Sequence, residues 1–188
     1  NMKEFIKRNE WALILGGSSG LGLATAKKLA QHGLNICIVH RNPRLQQEAI
    51  ANELEIIKQE GVQFQSFNVD AFKPEKRDHV ISELKLSFGE THKIKALVHS
   101  VAKGNLKPMV SEENIELKHD DFTLTIEAMG VSLYDWFKSV FEARLFSKDA
   151  RIISFTSEGN SKAWQNYAAV SAAKVTLEAI TRNIALEF

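Results

Sequence analysis

The chain has 188 residues, 44% of them hydrophobic and 25% charged, with a formal net charge of +1. That length builds a substantial core, and so small a charge speaks against a nucleic-acid groove or a basic membrane-surface patch. Three prolines and ten glycines speak against long disordered tracts. Cys37 is the only cysteine, so no internal disulfide forms. It lies in the apolar run "LNICIVH" as a buried, inert thiol, which fits a reducing compartment. The opening "NMKEFIKRNE" is too charged for a signal peptide, and no apolar run reaches the length of a membrane-spanning helix. The expectation is a cytoplasmic protein with no nucleic-acid or membrane partner.

Five short apolar or β-branched runs recur: "WALIL" (11–15), "NICIV" (35–39), "VQFQSF" (62–67), "IKALVHS" (94–100) and "RIISF" (151–155). Stretches of helical period separate them. "LGLATAKKLAQHG" places Leu21, Ala24, Leu29 and Ala30 near one face and stops at Gly33. "RLQQEAIANELEIIKQEG" does the same with Leu45, Ala49, Leu54 and Ile57 and stops at Gly61. "PEKRDHVISELKLSFG" has Pro74 in its first turn and closes at Gly89. "DDFTLTIEAMGVSLYDWFKSVFEARLF" reads as one long helix, and "WQNYAAVSAAKVTLEAITRNIALEF" as the last. A β-α alternation with continuous apolar strands implies an α/β fold with a doubly wound parallel sheet, in one domain over residues 1–188. The long irregular stretch 101–118 follows the fourth strand, at the carboxyl edge where such sheets bind ligands.

Directly after the first strand comes "LGGSSGLG". Glycines at 16, 20 and 22 let the chain turn tightly and let backbone approach a diphosphate at a helix N-terminus. Ser18 and Ser19 add hydroxyl donors, and the alternative is a merely tight β-α turn.

The spacing Gly-x-x-x-Gly-x-Gly resembles the short-chain dehydrogenase/reductase family, with Leu15 in place of the usual Thr. The resemblance runs from Trp11 to Phe188. It implies that Gly16, Ser18, Ser19, Gly20, Leu21 and Gly22 bind the cofactor diphosphate. At the end of the second strand, His40 stands where NAD-preferring members carry Asp, and Arg41 follows with Arg44 nearby. The missing acid and the added guanidinium favour NADPH over NADH. Asn68 and Val69 in "FNVD" correspond to the family's adenine contact, with Asp70 close by. "HSVA" (His99, Ser100, Val101, Ala102) resembles the divergent branch that holds enoyl-acyl-carrier-protein reductases, and places Ser100, Val101 and Ala102 at the cofactor. His99 reads as a structural histidine at a strand end.

The segment "NYAAVSAAK" separates Tyr167 from Lys174 by seven steps. At about 100° per residue these return to within roughly 20° of the start, so the two share a helix face two turns apart. In the family, most members leave three residues between this Tyr and Lys; the six here resemble the enoyl reductases. The resemblance implies that Tyr167 stabilises an enolate oxygen, that Lys174 binds the nicotinamide ribose, and that Ser157, after "RIISFT", is an auxiliary catalytic group. Met129 stands near the family's catalytic Asn, which turns the expectation away from alcohol–ketone chemistry.

The remaining features take structural readings. His119, Asp120 and Asp121 form a helix start with an acidic first turn rather than a metal site. Trp136, Phe137, Phe141 and Phe146 belong to core or to a subunit contact. The family resemblance implies a homotetramer or homodimer and an acyl thioester substrate on acyl-carrier protein or CoA. It also implies further C-terminal strands, so the chain reads as truncated. The expected function is reduction of a 2-enoyl thioester by NADPH. The alternatives are a ketone (3-oxoacyl) or dienoyl-thioester reductase, or a weakly catalytic NADP(H)-binding protein.

Overall fold

The computed structural model describes residues 4–188. Five strands, β1 (Glu10–Leu15), β2 (Asn35–His40), β3 (Phe64–Asn68), β4 (Lys93–His99) and β5 (Phe146–Ser154), form one sheet in the order β3-β2-β1-β4-β5. The pairs β1·β2, β1·β4 and β2·β3 are parallel. The helices are α1 (Gly20–Gln31), α2 (Gln47–Lys58), α3 (Pro74–Phe88), α4 (His119–Ile126), α5 (Ser132–Glu142) and α6 (Ala168–Glu187). This is the parallel, doubly wound α/β sheet that the alternation implies. Every residue of β1 and β2 is buried, as two covered faces require. Complete removal of Leu13, Ile14, Leu15, Ile36 and Ile38 from water contributes about 1.5–3 kcal/mol for each such side chain. Burial also pushes the Cys37 thiol pKa up, so the sulfur stays protonated and unreactive.

The described chain separates into two compact units. The first runs to Ser100 and takes up Lys138–Ile153; the second comprises Val101–Phe137 and Ser154–Phe188. Strand order reverses between β1 and β4, the position where such sheets leave a crevice at the carboxyl edge. The ladder continues past the strands there. Gly16 N–H donates to Val39 O at 2.9 Å, and Ser100 N–H donates to Leu15 O at 2.9 Å.

Several elements differ from the sequence reading. The buried face of α1 is Gly22, Ala26 and Ala30, whereas Leu21 is 62% exposed and Ala24 is exposed. Small residues win that face because α1 comes too close to the sheet and loop for a leucine. In α2 the buried residues are Ile50, Leu54 and Ile57; Leu45 is 98% exposed and Ala49 is exposed. A 3₁₀ turn at Arg44–Gln46 puts Leu45 outside the α-helical phase. The long fourth helix is broken into α4 and α5 by a π-helical turn at Glu127–Val131. It ends at Glu142, and Phe146 opens β5 instead. The last helix starts at Ala168, so Trp164–Tyr167 precede it.

In the second unit the π-turn lies against α6. A Cβ on Gly130 would sit 3.2 Å from Ala173 O and 3.0 Å from Thr176 Cγ2, so a side chain there would require α6 to give by a few tenths of an ångström. Met129 is buried in the same turn. Asp121 accepts from the Lys118 N–H at 2.8 Å and Asp120 shares the first turn, the helix start read from the sequence. That backbone donor, more than Lys107 nearby, holds the Asp121 carboxyl below the usual carboxylate range. No helix among the described residues is long and apolar enough to cross a membrane.

Candidate functional site

The first group of candidate residues lies at the carboxyl edge of β1, β2, β3 and β4, all within the first unit. Gly16 (φ 79°) and Gly20 (φ 54°) take left-handed backbone that the turn requires. Ser19 caps α1 in extended conformation, and its carbonyl accepts from Leu23 N–H at 3.1 Å. A Cβ on Gly22 would come within 2.2 Å of Gly16 O and 3.1 Å of Ser100 Cβ. The turn is therefore closed on itself in a way no side chain tolerates. Gly17, outside the Gly-x-x-x-Gly-x-Gly spacing, seats the loop on β2: a Cβ there would meet Ile38 Cγ2 at 2.8 Å.

Asn42, also unmarked in the sequence, organises the neighbouring strand ends. Its Oδ1 accepts from Ser18 Oγ–H at 2.8 Å and from His40 Nδ1 at 2.8 Å, which places the proton of that ring on Nδ1. Its Nδ2 donates to Gln46 Oε1 at 3.1 Å. Its backbone N–H donates to Asn68 Oδ1 at 3.0 Å, and its carbonyl accepts from Asn68 Nδ2 at 3.2 Å. Asn68 thus clamps the 40–42 turn, and one lone pair of its Oδ1 remains for a ligand. Val69 N–H donates to His40 O at 2.9 Å. Arg41 carries its charge outward, with a 67% exposed side chain, and pairs with Asp70 at 2.8 Å. Asp70 also accepts from Phe72 N–H at 3.0 Å.

The second group lies wholly in the second unit. Ser157 Oγ and Tyr167 Oη are 2.9 Å apart, and Ser157 Oγ also accepts from Gly159 N–H at 3.2 Å. Gly159 lies against the phenol ring: a Cβ there would fall 2.1 Å from Tyr167 Cε1. Trp164 packs edge-on to the same ring, with centroids 5.1 Å apart. Tyr167 is the N-cap of α6 rather than a residue within it, and its carbonyl accepts from Ser171 N–H at 2.8 Å. The seven-step relation to Lys174 therefore begins at the helix boundary. Lys174 is buried, and its Nζ donates to Phe155 O at 2.6 Å. Burial lowers the Lys174 pKa, because a desolvated ammonium is disfavoured. Val101, half-buried, and Ala102, exposed, open the irregular stretch in this same unit. Buried His99 ends β4 in the first unit.

The two sets differ in chemistry. The first offers backbone N–H groups, hydroxyls and a guanidinium, which suit an anionic dinucleotide. The second offers a phenol held by a hydroxyl and a partly desolvated lysine, which suit stabilisation of developing negative charge.

The family described as enoyl-(acyl carrier protein) reductase matches residues 16–188. A peroxisomal 2,4-dienoyl-CoA reductase of Arabidopsis thaliana is 28% identical over 197 residues, covering 99% of this chain and 61% of that protein. A 3-oxoacyl-[acyl-carrier-protein] reductase of Staphylococcus epidermidis is 24% identical over 151 residues, covering 79% of this chain and 57% of that protein. Among solved structures, a variant of actinorhodin polyketide ketoreductase with NADPH superposes with a TM-score of 0.80 at 19% identity, covering 97% of this chain and 67% of that one. The chain thus spans about three fifths of the length of the two relatives it matches here. With its glycine loop, its sheet order and the family match over nearly its whole length, the chain belongs to the short-chain dehydrogenase/reductase family.

Proposed function

We propose that the protein reduces the carbon–carbon double bond of a 2-enoyl thioester, carried on CoA or acyl-carrier protein, with NADPH. The observation that carries this reading is the Ser157–Tyr167 hydroxyl pair at 2.9 Å on the same segment as buried Lys174, with six residues between Tyr167 and Lys174. The family description and the dienoyl-CoA and 3-oxoacyl relatives support a thioester substrate.

NADPH, when bound, supplies the hydride that the β-carbon of the substrate takes up. The tight turn that Gly22 permits against Gly16 O would present the amides of Gly17–Gly22 and the Ser19 hydroxyl to a diphosphate at the start of α1, while the Gly16 N–H and the Ser18 hydroxyl, engaged with Val39 O and Asn42 Oδ1, would hold the loop in shape. Asn68 and Val69 would border the adenine, with His40 and Arg41 at the adenosine ribose. Ser100, Val101 and Ala102 would line the nicotinamide half, and Lys174 would hold its ribose hydroxyls. The Tyr167 phenol donates a hydrogen bond to the thioester oxygen, where negative charge accumulates as the β-carbon is reduced. Ser157 keeps that phenol oriented, and the ammonium of Lys174 would add positive charge to the site. The α-carbon of the resulting enolate would then take a proton from water, which completes the saturated thioester.

A second reading, reduction of a 3-oxoacyl thioester, is favoured by the same Ser157–Tyr167 contact, since a hydroxyl beside a phenol also suits a ketone oxygen. Steady-state NADPH oxidation with crotonyl and acetoacetyl thioesters separates the two. Preference for the crotonyl substrate supports the first reading, and preference for acetoacetyl the second. A cytoplasmic location and a homotetrameric or homodimeric assembly complete the proposal.

Arg41 is offered as the group for the 2′-phosphate that distinguishes NADPH, yet Asp70 already holds it. Asp70→Asn keeps the acceptor for Phe72 N–H but removes the charge. It is expected to raise the NADPH/NADH affinity ratio up to about fivefold, the worth of one partly exposed ion pair. Direct titration with both cofactors checks this; an unchanged ratio means that Arg41 does not meet the phosphate.

A further inference from the structure

We propose that Glu178 is a positioning residue: it anchors the 155–160 loop to α6, and through that loop holds the Tyr167 phenol in place. The inference rests on Tyr167 and Ser157 being the reactive pair proposed above.

One carboxylate oxygen, Glu178 Oε1, takes two hydrogen bonds from the loop. Thr156 Oγ1 donates to it at 2.5 Å, and Asn160 Nδ2 donates to the same atom. The two donors bracket Ser157 and Gly159, the residues that touch Tyr167. Ser157 Oγ meets the phenol oxygen at 2.9 Å, and Gly159 leaves the space its ring fills. The loop has two other ties to α6. Ser171 Oγ donates to Gly159 O, and Lys174 Nζ donates to Phe155 O at 2.6 Å. Residues 171, 174 and 178 follow each other at three and four steps, so they share one face of α6. Glu178 is the anionic member of that row and the one that receives rather than donates. Its carboxyl pKa is lowered first by the Thr156 bond, then by Asn160, with Arg182 adding a smaller pull. The group is therefore a carboxylate at neutral pH, able to accept both bonds with charge assistance.

The consequence follows from geometry. Released from Glu178, the loop keeps its backbone ties at Phe155 and Gly159 through Lys174 and Ser171 but loses the side-chain ties at Thr156 and Asn160, which leaves residue 157 freer to shift. The Ser157 hydroxyl then no longer fixes the phenol, and a displacement of about 1 Å at a reacting group costs up to about a hundredfold in rate.

The chain has two tyrosines, so in a Tyr134→Phe background the carbon-13 signal of the phenol carbon reports Tyr167 alone, with no substrate needed. In that background Glu178→Ala is expected to move the Tyr167 resonance. Enoyl turnover should fall about tenfold to a hundredfold, with the KM for NADPH changed less than about twofold. Glu178→Gln keeps an acceptor oxygen at the same place and is expected to restore both readouts most of the way. An unmoved Tyr167 resonance in folded Glu178→Ala protein would overturn the proposal, as would a Gln variant that behaves like Ala. If Glu178→Ala does not fold, Thr156→Val removes one donor instead. A moved Tyr167 signal there supports the anchor, and an unmoved one overturns it. A moved signal in a protein that reduces no thioester keeps the anchor and discards the proposed reaction. An unmoved signal with full enoyl turnover does the reverse.

Discussion

Tyr167→Phe is expected to lower turnover of a 2-enoyl thioester by about a hundredfold to a thousandfold, roughly 3–4 kcal/mol of transition-state stabilisation for one oxyanion donor. NADPH binding should stay within about twofold of the wild type. The reason lies in what the substitution leaves intact. The ring still lies on Gly159 and against Trp164, Ser171 still holds the Gly159 carbonyl, and Ser157 still accepts from the Gly159 amide. Only the phenol oxygen is gone, so the loss belongs to chemistry and not to folding. Single-turnover kinetics with a separate NADPH titration checks both halves. A fall in cofactor affinity that matches the fall in rate would place Tyr167 in cofactor binding instead.

Gly22→Ala is expected to be as damaging by a different route. The added methyl would overlap the backbone oxygen of Gly16 at 2.2 Å, and a carbonyl inside a closed turn has no rotamer by which to escape. The loop must open or α1 must shift, at a cost of about 1–3 kcal/mol in stability. NADPH affinity is expected to fall at least a hundredfold, because every amide donor of the turn moves with it. Gly20→Ala is the control: a Cβ there meets nothing within 4 Å, and only the φ of 54° opposes it, so it should cost about 1 kcal/mol. Fluorescence titration with NADPH and thermal unfolding of both variants test this. Unchanged affinity in Gly22→Ala would mean that the turn does not carry the diphosphate.

The glycine loop, β1, β2 and the helix stops near Gly33, Gly61 and Gly89 were legible because they depend on local chemistry: a turn that needs glycine, or a run buried on both faces. What escaped depends on partners distant in sequence. Asn42 looks like an ordinary turn residue, and its role arises only when β3 brings Asn68 alongside β2. Glu178 reads as a solvent-facing helix residue until the 155–160 loop folds onto it. The start of β5 is hidden in the sequence because α5 stops without a glycine; Arg144 takes the left-handed conformation there (φ 57°). The π-turn at Met129 left no periodicity signal, since the apolar residues on either side continue a helical pattern. Tyr167 proved to be a cap rather than a helical residue because Asn166, at φ 62°, turns the chain just before α6.

Tyr167, Ser157 and Lys174 are proposed to serve reduction of a carbon–carbon double bond. The most direct measurement locates deuterium in the product after turnover of a 2-enoyl thioester with NADPH deuterated at its hydride-donating carbon. Reduction of the carbon–carbon double bond puts deuterium on the β-carbon of the saturated thioester, with incorporation lost in Tyr167→Phe. No label in that product, together with deuterium on the carbinol carbon of a 3-hydroxyacyl product from a 3-oxoacyl thioester, would contradict it.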